Sequence, residues 1–317
     1  MQDVTDLPFM HLISEYGGPD VYFTEYFRVH STSKLDRPIL RSITENRTGK
    51  PIVAQMIGND LAAMIRTAEQ LAAYPIAAID LNLGCPAPIV YKKCAGGGLL
   101  ADLPRTARLI AGLRGAIPGR FTVKTRIGFE SSANFSELLS VLNQWKVDLV
   151  TVHGRTVKEG YRSDVHYDLI AEAVERLECP VLANGNVDSE LQARRVMSQT
   201  AAKGLMIGRG AIRNPWVFRQ IREAFSGKPV FVPEGRDVLD YIHRLYDAVR
   251  PSGLNDFGQV RKMKRYMNFI GPGIEPSGKF LHAIRRADSS TEFFRICADH
   301  LDHSEPMLLS ICSPLAA

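Results

Sequence analysis

The chain has 317 residues, 45% of them hydrophobic, enough for a large core and for about two domains or one barrel with an appendage. Its formal net charge of +5 is mildly basic, which permits an anionic partner without requiring one. The five cysteines, an odd number with no Cys-x-x-Cys pair, exclude a disulfide framework in favour of the reduced thiols expected in the cytoplasm.

The opening Met1-Gln2-Asp3-Val4-Thr5-Asp6 has neither the basic nor the apolar part of a signal peptide. No later stretch stays apolar for the roughly 20 residues of a membrane-crossing helix. A helix is expected from Leu7 to Tyr16, with no strand before it. Short β-branched runs then alternate with helical patterns. Strands are expected at Val21–Tyr26, Pro51–Ile57, Ile79–Leu83, Phe121–Ile127, Leu149–His153, Val181–Asn184 and Leu205–Ile207. Between them, Met64, Ile65, Ala68, Leu71 and Ala72 follow Asp60 at helical period. Phe135, Leu138, Leu139, Leu142 and Trp145 follow Asn134, an expected N-cap, in the same way. Such alternation predicts a parallel sheet with right-handed crossovers.

The placing of polar residues separates an open sheet from a barrel. Gln55, Asp80, Asn82, Lys124, Arg126, His153 and Asn184 all fall near the C-terminal ends of their strands. An open sheet gathers its ligand groups at one switch point, whereas a barrel collects them from many strands around one mouth. The expectation is therefore an α/β fold, a TIM (β/α)8 barrel over residues 1–232. Seven strands are one short of eight. Either the first strand is missing from this chain or the barrel is itself incomplete. Beyond Pro233 the helical segments Asp237–Arg250, Gln259–Ile270, Phe280–Ala287 and Thr291–Asp299 follow one another without strands, predicting a small all-α domain over 233–317.

Asp80-Leu81-Asn82-Leu83-Gly84-Cys85-Pro86 ends a strand in a glycine turn that exposes Cys85 above the rim, a place that favours chemistry over simple burial. Cys94 is the competing thiol, in the run Tyr91-Lys92-Lys93-Cys94-Ala95-Gly96-Gly97-Gly98, whose glycines predict a mobile loop. Lys124 and Arg126 share one face of their strand and point into the barrel, where two cations are costly without an anion or an acidic partner. His153, in His153-Gly154-Arg155, sits on the same rim. Asn184-Gly185-Asn186 and Gly208-Arg209-Gly210 end the last two strands, the usual phosphate position of such barrels. In the helical region Arg261, Lys262, Lys264 and Arg265, with Lys279, Arg285 and Arg286 and the pair Lys92-Lys93, outline a basic path suited to a phosphate backbone, although such charge runs are commonly just solvated faces.

Taken together, Val4-Thr5-Asp6-Leu7-Pro8-Phe9, Thr24-Glu25, Gln55, Asn82-Leu83-Gly84-Cys85-Pro86, Lys124-Thr125-Arg126, His153-Gly154-Arg155-Thr156, Asn184-Gly185 and Gly208-Arg209-Gly210 resemble the bacterial tRNA-dihydrouridine synthases. The resemblance spans the barrel in order and extends to the helical tail, which is similar to that family's tRNA-binding domain. It implies FMN at the barrel mouth and NADPH as reductant, with uridines in tRNA reduced to dihydrouridine. It implies a phosphate site at Asn184, Gly185, Asn186, Gly208 and Arg209, and flavin contacts from Gln55, Lys124 and His153. It makes Cys85 the acid that protonates uracil carbon 5, with Asn82 and Arg126 on the uracil edge. Arg28, Lys92, Lys93, Arg261, Lys262, Lys264 and Arg265 would meet the tRNA. Family members begin with a strand ending in Ala-Pro-Met that touches the flavin, and Met1 is what this chain retains of it. No metal and no membrane contact are expected, and a monomer is favoured. Two competing readings remain. One is an FMN barrel acting on a free pyrimidine, which would not need the basic tail. The other is an inactive tRNA-binding protein.

Overall fold

The computed structural model describes residues 2–311. Met1, one of the expected flavin contacts, lies outside them. Helices α1 (Leu7–Glu15), α2 (Arg37–Thr44) and α3 (Leu61–Ala72) each open on an aspartate. Asp6, Asp36 and Asp60 accept the amide three residues on, leaving one fewer orphan donor in each first turn. Asn134 does stand at the N-cap of its helix, but makes no side-chain cap bond.

The strands are β1 (Tyr22–Phe23), β2 (Phe27–Arg28), β3 (Ile52–Ile57), β4 (Ala78–Leu83), β5 (Phe121–Arg126), β6 (Leu149–His153), β7 (Val181–Asn184) and β8 (Gly204–Met206). All pair in parallel in the order β1-β3-β4-β5-β6-β7-β8, with β2 also on β3. Crossovers carry α3, α4 (Pro88–Tyr91), α5 (Leu103–Ala116), α6 (Phe135–Gln144), α7 (Tyr167–Arg176) and α8 (Glu190–Thr200). This is the curled parallel sheet with surrounding helices of a TIM-type barrel. Among the described residues it stops at β1 on one side and β8 on the other, with no pairing between them.

The expected strand over Val21–Tyr26 is split in two. Tyr22 and Phe23 face Ile52 and Val53, whereas Phe27 and Arg28 face Met56 and Ile57. Four steps on this strand therefore answer three on β3, a one-residue bulge of the kind that re-aims side chains near active sites. Thr24 turns its hydroxyl to accept the Gln55 amide at 3.1 Å. Glu25 leaves the ladder and its carboxylate accepts the amides of Val4 and Thr5 at 2.9 and 3.0 Å. Aromatic and β-branched residues run through the bulge, so nothing in the local sequence announces it.

Register sorts the strand residues by face. Ala54 and Met56 on β3, Ile79, Leu81 and Leu83 on β4, Phe121 and Val123 on β5, and Val150 and Val152 on β6 are buried apolar residues. The alternate positions are polar and pair across strands in ascending layers. Gln55 faces Asp80, which faces Thr122; Asn82 faces Lys124, which faces Thr151; Arg126 faces His153, which faces Asn184. Side chains alternate across a strand, so the apolar set meets the helices and the polar set fills the barrel.

After α9 (Arg209–Arg213) and α10 (Val217–Phe225) come α11 (Gly235–Ala248), α12 (Asp256–Ile274), α13 (Lys279–Arg286) and α14 (Ser290–Leu301), with no strand between them. They are tied to the barrel by buried polar contacts. The Tyr241 hydroxyl donates to Ile212 O at 2.9 Å and the Tyr266 hydroxyl to Val4 O at 3.0 Å. Among the described residues no helix is long and apolar enough to cross a membrane.

Candidate active site at the barrel mouth

Cys85 follows β4 and is held by its backbone. Asn82 Oδ1 accepts the Gly84 and Cys85 amides at 3.0 and 2.7 Å, and Cys85 O accepts the Gly97 amide at 3.1 Å. The thiol is half-buried, whereas Cys94 is exposed. The segment expected to be a mobile loop is ordered, with α4 followed by a 3-10 turn over Gly96–Ala101 whose three glycines are buried. A Cβ on Gly97 would lie 2.6 Å from Val157 Cγ2 and 2.9 Å from Cys85 O, so the run is an approach surface for the cysteine turn. Gly97→Ala should therefore cost about 2 kcal/mol by overpacking, read as a lower denaturation midpoint, and no loss of stability would contradict this packing.

Beside the thiol stands Tyr26, placed there by the bulge. Its hydroxyl interacts with both the Cys85 thiol and Arg28, and burial, then the neighbouring thiol, push its pKa up. The guanidinium of Arg28, the exposed residue of β2, stacks 5.7 Å from the Tyr26 ring. Lys92 and Lys93 are exposed on the rim past α4, and Asn59 donates to Lys93 O at 2.6 Å.

Deeper in the barrel, Lys124 Nζ donates to Asn184 Oδ1 at 3.2 Å, and Asn184 Nδ2 donates to Met206 O at 2.7 Å. Burial, and then the Arg126 charge, push the Lys124 pKa down to about 8. Arg126 is 2% exposed; its Nε donates to Gly84 O at 2.8 Å and its Nη1 to Thr156 O and Gly160 O at 2.7 and 2.9 Å. It thus clamps the cysteine turn to the loop after β6. Likewise both acceptor bonds of Asn82 Oδ1 go to that turn. Burial and the charges of Arg126, Lys124, Arg155 and Arg209 hold the His153 pKa far below the usual imidazole range, so the ring is neutral.

Two polar atoms inside the barrel have no partner: His153 Nδ1 and Thr151 Oγ1. Buried groups of this kind are normally satisfied. With Lys124, Arg126, Arg155 and Arg209 crowding one histidine, the mouth is electropositive and short of acceptors. At its far side, Gly185 has φ +133° and Asn186 φ +51°. Their turn packs close to Val165, 3.0 Å from a Cβ placed on Gly185, and Gly208 opens the neighbouring α9. Arg209 stacks 4.2 Å from the Tyr161 ring and Arg126 5.3 Å from it, with His153 edge-on at 6.1 Å. Tyr161 and Thr151 were not among the residues singled out from sequence. Period-two spacing from His153 would have found Thr151, but nothing local marks Tyr161. Among the described residues no cluster of His, Cys, Asp or Glu is arranged to hold a metal ion.

The basic helical residues divide. Lys262 Nζ donates to Val249 O at 2.6 Å and lies 3.7 Å from Asp6, and Lys264 Nζ lies 3.6 Å from Asp288. Arg261 and Arg265, on the same helix α12, are exposed.

A parallel barrel sheet whose strand ends converge on a cysteine turn and a cationic mouth defines a TIM-barrel enzyme. The dihydrouridine synthase (Dus) family profile matches residues 1–293. A probable tRNA-dihydrouridine synthase of Helicobacter pylori is 32% identical over 310 residues, covering 97% of this chain and 88% of that protein. A tRNA-dihydrouridine(16) synthase of Cupriavidus necator is 28% identical over 307 residues, covering 93% and 94%. The solved structure of 6-hydroxypseudooxynicotine amine oxidase from Pseudomonas geniculata N1 superposes with a TM-score of 0.51 at 11% identity, over 70% of this chain and 44% of that one, a likeness of fold alone. The chain belongs to the dihydrouridine synthase family, oxidoreductases that reduce uridine in tRNA and are known as flavin-dependent.

Proposed function

We propose that this chain is an FMN-dependent tRNA-dihydrouridine synthase that draws on NADPH and works in the cytoplasm, with residues 1–232 as the catalytic barrel and 233–317 as the tRNA-binding part. The observation that carries the reading is the barrel mouth, where four cations surround a neutral His153 and the unpartnered Thr151 Oγ1 and His153 Nδ1 lie buried. These fit a polyoxygenated anion such as FMN. Asn184, Gly185, Asn186, Gly208 and Arg209 would hold its phosphate, and Gln55, Lys124 and His153 its ring system and ribityl chain. When bound, the flavin supplies a hydride equivalent from NADPH to carbon 6 of a uracil that has left its stack.

Every other step falls to the chain. Lys124 would offset negative charge on the bound ring system. Arg126 and Asn82 fix the cysteine turn, and any contact of theirs to uracil would use the donors not already committed there. Cys85, half-buried on the turn above the rim, supplies the proton to carbon 5 as a general acid. Arg28, Lys92 and Lys93 rim the entrance for the tRNA backbone, and Arg261 and Arg265 extend the basic path along α12.

The test is purification followed by assay. The protein should carry the yellow flavin bands, release FMN on denaturation, and form dihydrouridine in tRNA but not in free uridine when given NADPH. A colourless protein that shifts tRNA without modifying it would overturn the reading. Reversing Arg261 and Arg265 together to glutamate should weaken tRNA binding about 10-fold or more and lower the slope of log affinity against log salt by about 1–2. Flavin content should be unchanged. These two are better probes than Lys262 and Lys264, whose ammonium groups already hold internal partners. Unaltered tRNA affinity would remove α12 from the interface.

A further inference from the structure

A line of hydrogen bonds runs up the inside of the barrel and ends on the catalytic turn. Asp80, fully buried on β4, accepts Thr122 Oγ1 at 2.6 Å through one carboxylate oxygen and Gln55 Nε2 at 2.8 Å through the other. Gln55 Oε1 accepts Asn82 Nδ2 at 2.8 Å. Asn82 Oδ1 then accepts the backbone amides of Gly84 and Cys85 at 3.0 and 2.7 Å. Three strands and the cysteine turn are joined in one relay.

The relay has a direction. A carboxamide can turn either end toward a neighbour, but an ionised carboxylate only accepts. Asp80 therefore obliges Gln55 to offer its N–H downward and its carbonyl upward, and this obliges Asn82 to present its oxygen to the turn. Reversed, Gln55 would set oxygen against oxygen at Asp80, and Asn82 would set its NH2 against two N–H donors. An unsatisfied buried group costs roughly 1–3 kcal/mol, so one orientation dominates.

Space-filling does not explain an acid here. Burial pushes the Asp80 pKa up to about 6, against the opposing effects of Thr122, Gln55 and Lys124, so the ionised group weighs against the fold at neutral pH. Polar groups that break a local rule in this way are characteristic of functional sites.

We propose that Asp80 is a positioning residue, whose carboxylate selects the orientation of the Gln55 and Asn82 carboxamides and through them seats the turn that carries Cys85. Asp80 touches neither substrate nor the reacting atoms. It acts by fixing which way two amides point. The proposal rests on the reading of Cys85 as proton donor for its kinetic consequence only, since the seating of the turn is measurable without catalysis.

The test compares Asp80→Val with Asp80→Asn in the full-length, flavin-loaded protein. Valine removes both acceptors. Asparagine keeps an oxygen for Gln55 while its NH2 donates to a rotated Thr122 hydroxyl, so it preserves the direction of the relay without charge. Asp80→Val should lower kcat for tRNA by 10-fold or more, leave KM for tRNA within about 2-fold, and speed iodoacetamide labelling of Cys85 by about 5-fold. Its melting temperature should fall, because Gln55 Nε2 and Thr122 Oγ1 lose their acceptor and Lys124 its nearby anion. Asp80→Asn should restore both kcat and labelling rate to within about 3-fold of wild type. Wild-type labelling of Cys85 in Asp80→Val would overturn the proposal. So would equal loss in both variants, which would assign the effect to charge. If Cys85→Ala instead retained activity, the proton-donor reading would fall while the labelling comparison still decided the role of Asp80.

Discussion

Cys85→Ala is expected to abolish dihydrouridine formation, by about 10²- to 10⁴-fold, while leaving the flavin bound and the fold intact. The turn that carries Cys85 is held by backbone atoms, through Asn82 Oδ1 and the Gly97 amide, and none of these bonds uses the thiol. Truncating a half-buried side chain at the rim leaves no cavity in the apolar core. The loss therefore falls on chemistry alone. NADPH-driven reduction of oxygen or an artificial acceptor should continue at the wild-type rate, since it needs no proton at uracil carbon 5. Cys85→Ser should be nearly as poor as alanine, because an alcohol is a far weaker acid than a thiol. Counting dihydrouridine by mass spectrometry of digested tRNA reads the outcome directly. Activity within about 3-fold of wild type in the alanine variant would remove Cys85 from the mechanism. Cys94, exposed on the rim with φ +53°, makes the control, and Cys94→Ala should change little.

The strands of the barrel and the residues lining its mouth were legible because the physics that places them is local. Period-two alternation puts Lys124 and Arg126 on one face, and strand ends rich in polar residues point to one rim. Both features follow from the sequence without knowledge of the partners. The bulge at Thr24–Tyr26 was not legible, because it is made by a threonine hydroxyl and a glutamate carboxylate reaching residues 31 and 21 positions away. The order of the glycine run at 96–98 was missed for a similar reason. Three glycines in sequence suggest freedom, but here they let Cys85, Val157 and Tyr91 approach closely. Spacing likewise gave Arg126 and Asn82 as inward-facing groups, without revealing that Arg126 Nε and Asn82 Oδ1 are committed to the cysteine turn. What a side chain touches across the barrel depends on strand stagger, and stagger is set by pairings far apart in sequence.

Lys124→Met should raise stability and lower function together. Burial, then Arg126, hold the folded-state pKa of Lys124 near 8, below its ordinary value of 10.5. A base whose folded pKa lies below its unfolded one weakens the fold wherever it is charged. The cost is full below about pH 8 and disappears as the pH rises past 10.5. At pH 7 it amounts to about 3 kcal/mol with the attraction of the ionised Asp80 already included. Methionine fills the same space without charge, and with the ammonium gone Asp80 would take up its proton more readily. The flavin-free variant should therefore melt about 3–6 °C above wild type at pH 7, and this advantage should shrink steadily between pH 8 and 10.5. FMN affinity should fall by about 10- to 100-fold, the worth of a charge-assisted contact, and dihydrouridine formation should fall further. Binding of FMN by the wild type at pH 9 should take up a proton as Lys124 regains its charge beside an anion, whereas at pH 6.5 no such uptake occurs. Calorimetry in buffers of different ionisation enthalpy measures it. A Lys124→Met variant no more stable than wild type at pH 7, or one that binds FMN as tightly, would show that the lysine is held by its internal partners rather than kept charged for a ligand.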